Sequence, residues 1–198
     1  MTRDISASVR GRLENVARES GRPLQELMQY FVMERFLFRL SKSKHAERFV
    51  LKGALMIRVW GTPQSRATRD IDLLARAENS VQTISAMMKD VCQQSVEPDG
   101  VEFPSDSVRG TMIKEDAEYS GVRVTFVAMI QNARLPMQID VGFGDVILEE
   151  TVQGGAFQAS TRESAIVVAI RQAFPAFVLL ASDKRLGRFT LGMQRVEF

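Results

Sequence analysis

Two stretches of helical periodicity open the chain. From Asp4 to Glu19 the apolar residues Ile5, Val9, Leu13 and Val16 recur three or four positions apart, which puts them on one helical face. Ser20-Gly21-Arg22-Pro23 stops and restarts the pattern, because Gly favours a helix end and Pro the first turn of the next helix. A second helix is expected from about Pro23 to Leu40, so rich in Leu, Met and Phe that its buried face should be wide. Ser41 to Glu47 is basic and polar, and reads as a loop or as the start of a third short helix. Phe49 to Trp60 is apolar around one glycine and fits either a strand turning into a helix or a helix throughout.

The pattern then changes period. Arg69 to Ala75 alternates charge with Ile and Leu and predicts a strand, after the loop Gly61 to Ser65. Residues 79–94 return to helical spacing, with Val81, Ile84, Met88 and Val91 on one face, and Glu97-Pro98-Asp99-Gly100 is a turn. Val108–Ile113, Val122–Ile130 and Leu135–Val141 follow a period near two and predict strands. Tyr119-Ser120-Gly121 and Gln131-Asn132-Ala133-Arg134 are the expected hairpin turns between them. Helices, a helix–strand unit and a β-meander make an α+β (mixed α/β) fold with one sheet of roughly four or five strands. No internal repeat or low-complexity tract interrupts it.

Composition narrows the class. The 198 residues suit one domain, or one domain with a small helical appendage. A hydrophobic fraction of 45% and a charged fraction of 25% are those of a globular protein with a real core. With 26 basic and 24 acidic residues the net charge of +2 is too balanced for a dedicated nucleic-acid binder. Cys92 is the single cysteine, so no intrachain disulfide forms and a reducing cytoplasm is the expected setting. The start lacks the apolar run of a secretory signal, and no stretch reaches the roughly 18 apolar residues of a membrane span. The single His45 argues against multi-histidine metal sites and is expected on the surface. Met28, Met33, Met56, Met87 and Met88 read as core filler, and Trp60 as a helix-end anchor. Arg35, Arg39, Lys42 and Lys44 form a basic run that is either a solvated face or a contact for an RNA backbone.

The chemistry that stands out is carboxylate chemistry. Asp70 and Asp72 lie two apart on a predicted strand, so both side chains share one face while Ile71 and Leu73 point to the core. Two such carboxylates repel each other, and a divalent cation relieves the repulsion; Mg²⁺ takes one or two carboxylates together with phosphate oxygens and water. Asp140 closes a second apolar strand, and would complete a three-carboxylate cluster if that strand is a neighbour. Two metals held this way stabilise both the attacking and the leaving oxygen in phosphoryl or nucleotidyl transfer. The same Asp pair also fits a plain surface pair on an edge strand. Gly53 upstream fits either close approach of the backbone to a phosphate or helix–sheet packing.

Leu51-Lys52-Gly53-Ala54-Leu55 followed by Thr68-Arg69-Asp70-Ile71-Asp72-Leu73-Leu74 resembles the signature of the nucleotidyltransferase superfamily, a small-residue loop followed by an Asp-x-Asp strand. The closer resemblance is to the AbiEii/AbiGii toxin family, the toxin half of certain bacterial toxin–antitoxin and phage-defence pairs. Phe49 to Gly53, Tyr119 to Val124 and Gln138 to Asp145 carry it further, and it covers about residues 4–150. The resemblance implies a polymerase-β-like core sheet with N-terminal helices packed on it, a nucleoside triphosphate as substrate, Mg²⁺ as cofactor and RNA, for example a transfer RNA, or a protein as acceptor. It also implies a cognate antitoxin as partner. Asp70 and Asp72 would be the metal-binding pair, and Asp140 the third ligand or the base for the acceptor hydroxyl. Gly53 would face the phosphates beside Ala54, which stands where a second Gly or Ser is usual. Lys52 and Arg69 would meet the triphosphate, although Lys52 reads equally as a solvated helix residue.

The implied organisation is a helical segment over 1–48, a nucleotidyltransferase-like core over 49–150 and a divergent segment over 151–198. In that last segment Ile170-Arg171 stands where the family has Glu-Lys, and Pro175 falls inside an expected helix. The chain ends at Phe198, where family members continue with further helices. Two readings stay open. One is a working transferase in which Arg171 or Lys184 supplies the missing charge. The other is a catalytically impaired, truncated remnant that serves only as an antitoxin- or RNA-binding module.

Overall fold

The computed structural model describes residues 4–52, 70–116 and 119–143. Helix α1 spans Ile5–Ser20, α2 Leu24–Lys42 and α3 Val81–Cys92. Strand β1 is Phe49–Lys52, β2 Asp70–Ala75, β3 Arg109–Asp116, β4 Tyr119–Ile130 and β5 Ala133–Gly142. They form one five-stranded sheet in the order β1-β2-β5-β4-β3. All neighbours are antiparallel except β2 and β5, which run parallel. The mixed α and β content and the strand number are those expected from the sequence.

The helices begin and end where local chemistry stops them. The Asp4 side chain accepts a hydrogen bond from the Ala7 amide to cap α1, and Gly21 closes it at φ 69°, a conformation a side chain disfavours. Ser80 caps α3 through the Thr83 amide. Helix α2 is buried nearly all round, from Leu27 to Leu40. Three of its buried polar side chains are matched: Gln29 donates to the Pro136 carbonyl, Glu34 pairs with Arg35, and Arg39 with Asp99. Pro136 sits on the stretch of β5 that has only β4 as a strand neighbour, so its missing amide breaks no ladder. Phe36 of α2 packs against Phe103 and Phe126 with ring centroids 5.7 and 5.0 Å away, tying helix to sheet.

One face of the sheet is the core. Phe49, Leu51, Ile71, Leu73, Val122, Val124, Ile139 and Val141 are all buried beneath the helices, as the period of two requires. Met28, Met33, Met87 and Met88 are buried in the same core. Met56 and Trp60 lie outside the described residues.

Three local expectations change. Tyr119-Ser120-Gly121 is not a turn: β4 starts at Tyr119 and these residues pair with Asp116, Lys114 and Ile113 of β3. The second hairpin needs only Gln131 and Asn132, with Ala133 already paired to Ile130. His45 is buried rather than on the surface, with Nε2 3.0 Å from an Asp90 carboxylate oxygen. Asp90 comes from α3, so the burial arises from packing between elements far apart in sequence. The stretch after Lys42 makes a short 3-10 turn, Ala46–Arg48, that leads directly into β1.

Candidate functional site

The face of the sheet opposite the core carries a row of charges. Lys52 of β1 pairs in register with Asp72 of β2, Asp72 with Asp140 of β5, and Asp140 with Arg123 of β4. Residues directly opposite on adjacent strands share a face and lie about 5 Å apart. Four consecutive strands therefore present Lys, Asp, Asp and Arg side by side. Asp70, two residues before Asp72, falls on the same face and pairs in register with Gln138.

The row has a defined electrostatic order. Burial, and then the neighbouring carboxylates of Asp140 and Asp70, push the Asp72 carboxyl above its ordinary range, with Lys52 acting against them. Arg123 holds both oxygens of Asp140, Nε at 2.8 Å and Nη2 at 2.7 Å, a fork-to-fork pair that is partly open to solvent. Gln138 adds Nε2 contacts of 3.3 and 3.5 Å to the same carboxylate. Lys52 reaches across the sheet: a Cβ built on Gly142 would lie 3.2 Å from its Nζ. The absence of a side chain at position 142 is what leaves room for the amine there.

The structure thus brings together Asp70, Asp72, Asp140 and Lys52 among the residues singled out from the sequence. Lys52 is the last residue of a strand, not a helical residue. Gly53, Ala54 and Arg69 lie outside the described residues, as do Arg171, Pro175 and Lys184. The sequence reading missed Arg123 and Gly142. A signal for Arg123 existed: it is an arginine at alternating register between Val122 and Val124, on the exposed face of a predicted strand.

The donor set fits a divalent cation in kind. Three carboxylates share one face, and burial followed by their mutual repulsion raises the carboxyl of the central one. They are not gathered into a finished cage: among the described residues, no three acidic, imidazole or thiol side chains converge closely enough to hold a metal ion. The basic run divides: Lys42 and Lys44 are exposed, and the two arginines are held by acids. Arg39 is buried on Asp99, Arg35 is paired with Glu34, and Lys44 pairs with Asp90. A groove lined by Ile5, Arg39, Cys92, Asp99 and Gln131 contains none of the residues of the row.

This arrangement coincides with a known family. The family model described as the nucleotidyl transferase AbiEii toxin of type IV toxin–antitoxin systems matches residues 35–173. The chain belongs to this family. Among curated proteins no match is found. The AbiEii match starts within α2 and takes in β1, β2, β5 and the whole charged row. It extends past residue 150, where the motif resemblance read from the sequence ended, and begins later than residue 4. As an AbiEii-family chain the protein is placed among nucleotidyltransferase toxins. Among the described residues no helix is long and apolar enough to cross a membrane.

Proposed function

We propose that the chain is a Mg²⁺-dependent nucleotidyltransferase that moves a nucleotide from a nucleoside triphosphate to an RNA, such as a transfer RNA, or to a protein acceptor, and that a cognate antitoxin restrains it. The observation that carries this reading is the register of Asp72 with Asp140 on parallel strands, with Asp70 on the same face. The family membership supports the reaction class.

Asp70, Asp72 and Asp140 would hold the divalent ion, which when bound supplies charge neutralisation for the phosphate oxygens. Lys52, at the edge of the row, offers its amine to the triphosphate. The acceptor hydroxyl oxygen forms a bond to the α-phosphorus as the bond from that phosphorus to the bridging oxygen breaks. Pyrophosphate leaves, and the hydroxyl proton passes to a base. Such chemistry needs chiefly alignment and charge compensation, which a rigid sheet face provides.

The test is calorimetric binding of each of the four nucleoside triphosphates in the presence of Mg²⁺, with the Asp70→Ala, Asp72→Ala double variant as control. Mg²⁺-dependent binding that disappears in the variant supports the transferase. A folded wild type that binds none of the four supports the impaired remnant, and antitoxin or RNA binding then becomes the property to measure.

A further inference from the structure

The unusual member of the charged row is Arg123. A carboxylate binds a metal ion through its oxygen lone pairs, and on Asp140 each oxygen already accepts a hydrogen bond from one guanidinium, at 2.7 and 2.8 Å. The interaction is set by the fold: Arg123 and Asp140 are direct partners in the β4–β5 ladder, so their side chains rise from adjacent strands on one face. The planar five-donor head of arginine matches a carboxylate edge to edge, which a lysine cannot do. On the far side of Asp140 stands Asp72, with its carboxyl raised by burial and by Asp140 and Asp70. The described carboxylates do not converge into a metal-holding group.

We propose that Arg123 is a resident counter-ion of the site, which competes with the divalent cation for Asp140 and must release it before the three carboxylates act together. This inference rests on the reading of Asp70, Asp72 and Asp140 as metal ligands. Arg123 is then a positioning residue. It offsets the like charges of the cluster and scales the apparent affinity for the metal by the fraction of molecules in which Asp140 is released. The opposite role is equally concrete: an arginine that only orients Asp140 toward the metal would strengthen metal binding, and its loss would weaken it.

The experiment is Mn²⁺ titration by calorimetry on the full chain, with no nucleotide present, comparing wild type with Arg123→Gln, Arg123→Lys and Arg109→Gln. Circular dichroism checks that each variant is folded. Arg109, on β3, hydrogen-bonds through Nη1 to the Asp106 and Val108 carbonyls, so its replacement removes the same charge from the sheet without touching Asp140. The expected result is Mn²⁺ binding roughly five- to tenfold tighter in Arg123→Gln, an intermediate gain in Arg123→Lys, and no change in Arg109→Gln. Unchanged or weaker binding in Arg123→Gln overturns the inference and leaves the metal site standing. So does Arg123→Lys behaving as wild type, or Arg109→Gln gaining as much as Arg123→Gln, because either would mark a general charge effect. Absence of Mn²⁺ binding in every protein tested removes the metal site itself, and this inference with it.

Discussion

Arg39 of α2 and Asp99 of the loop after α3 form a buried two-pronged ion pair, with Nη1 and Nη2 at 2.7 and 2.9 Å from the two carboxylate oxygens. The guanidinium also donates to the Val101 carbonyl at 3.1 Å and lies 4.8 Å from the centre of the Phe103 ring. The pair fixes that loop against the helix that supports the sheet. Removing one partner strands a buried charge. Asp99→Ala should cost about 3–5 kcal/mol in urea unfolding, and the double replacement Arg39→Met, Asp99→Ala should cost less than the two single losses added together. A loss below about 1 kcal/mol for Asp99→Ala would show that the pair is solvated in solution.

Gly121, the third residue of β4, stands where the neighbouring strand passes closely. A Cβ there would lie 2.9 Å from the Val141 carbonyl oxygen, which is backbone and cannot rotate away. Gly121→Ala should therefore destabilise the protein by about 1–3 kcal/mol through displacement of β5. Because Asp140 adjoins Val141, the same variant should also weaken metal and triphosphate binding if Asp140 serves as the proposed ligand. Chemical denaturation and calorimetry measured on one preparation would reveal both effects, and an unaltered midpoint would refute the steric argument.

At Asp90 the hydrogen bonds from Lys44 and then His45 hold the carboxyl below its usual value. The folded state therefore binds this proton less readily than the unfolded chain. Its stabilising contribution is present above the ordinary carboxylate range and is lost as pH falls through that range toward the folded value. Asp90→Asn should lower the melting temperature slightly above about pH 5, and that difference should shrink on acidification toward about pH 3. A pH-independent difference would mean that packing, not charge, is what Asp90 contributes.

Burial pushes the Cys92 thiol up to about 12. The side chain is buried at the end of α3, so little thiolate exists near neutral pH and little reagent reaches it. Modification by a thiol-specific chromogenic disulfide should be slow in the native protein and fast in denaturant. Rapid native labelling at pH 7 would place Cys92 in a part of the molecule that opens readily.

How far the sequence could be read depended on whether the deciding contacts were local. The stripe Ile5, Val9, Leu13 predicted α1, and the spacing of Asp70 and Asp72 placed them on one face, because both follow from the repeat of a single element. That Asp140 lies beside Asp72 depended on β2 and β5 being neighbours, which no local pattern contains. His45 and Arg39 misled for the same reason. Each sits in a basic, polar context, and each is buried by an acid supplied from a distant element, Asp90 or Asp99. The motif at Tyr119 to Gly121 looked like a turn because of its glycine. That glycine instead answers to the carbonyl of the next strand.

The parallel pairing of β2 with β5 also governs when the charged row can exist. Every antiparallel pair in the sheet joins strands adjacent along the chain or separated by a single connection, but β5 inserts between β2 and β4 only after α3, β3 and β4 have been made. Contacts so distant in sequence close late and slowly. A nascent chain that has emerged only as far as β4 already carries Asp70 and Asp72, yet has no Asp140 to stand beside them. On the proposed reading the site is therefore incomplete until β5 has emerged, because that strand, the last of the described ones in chain order, is the one that brings the third carboxylate beside the other two.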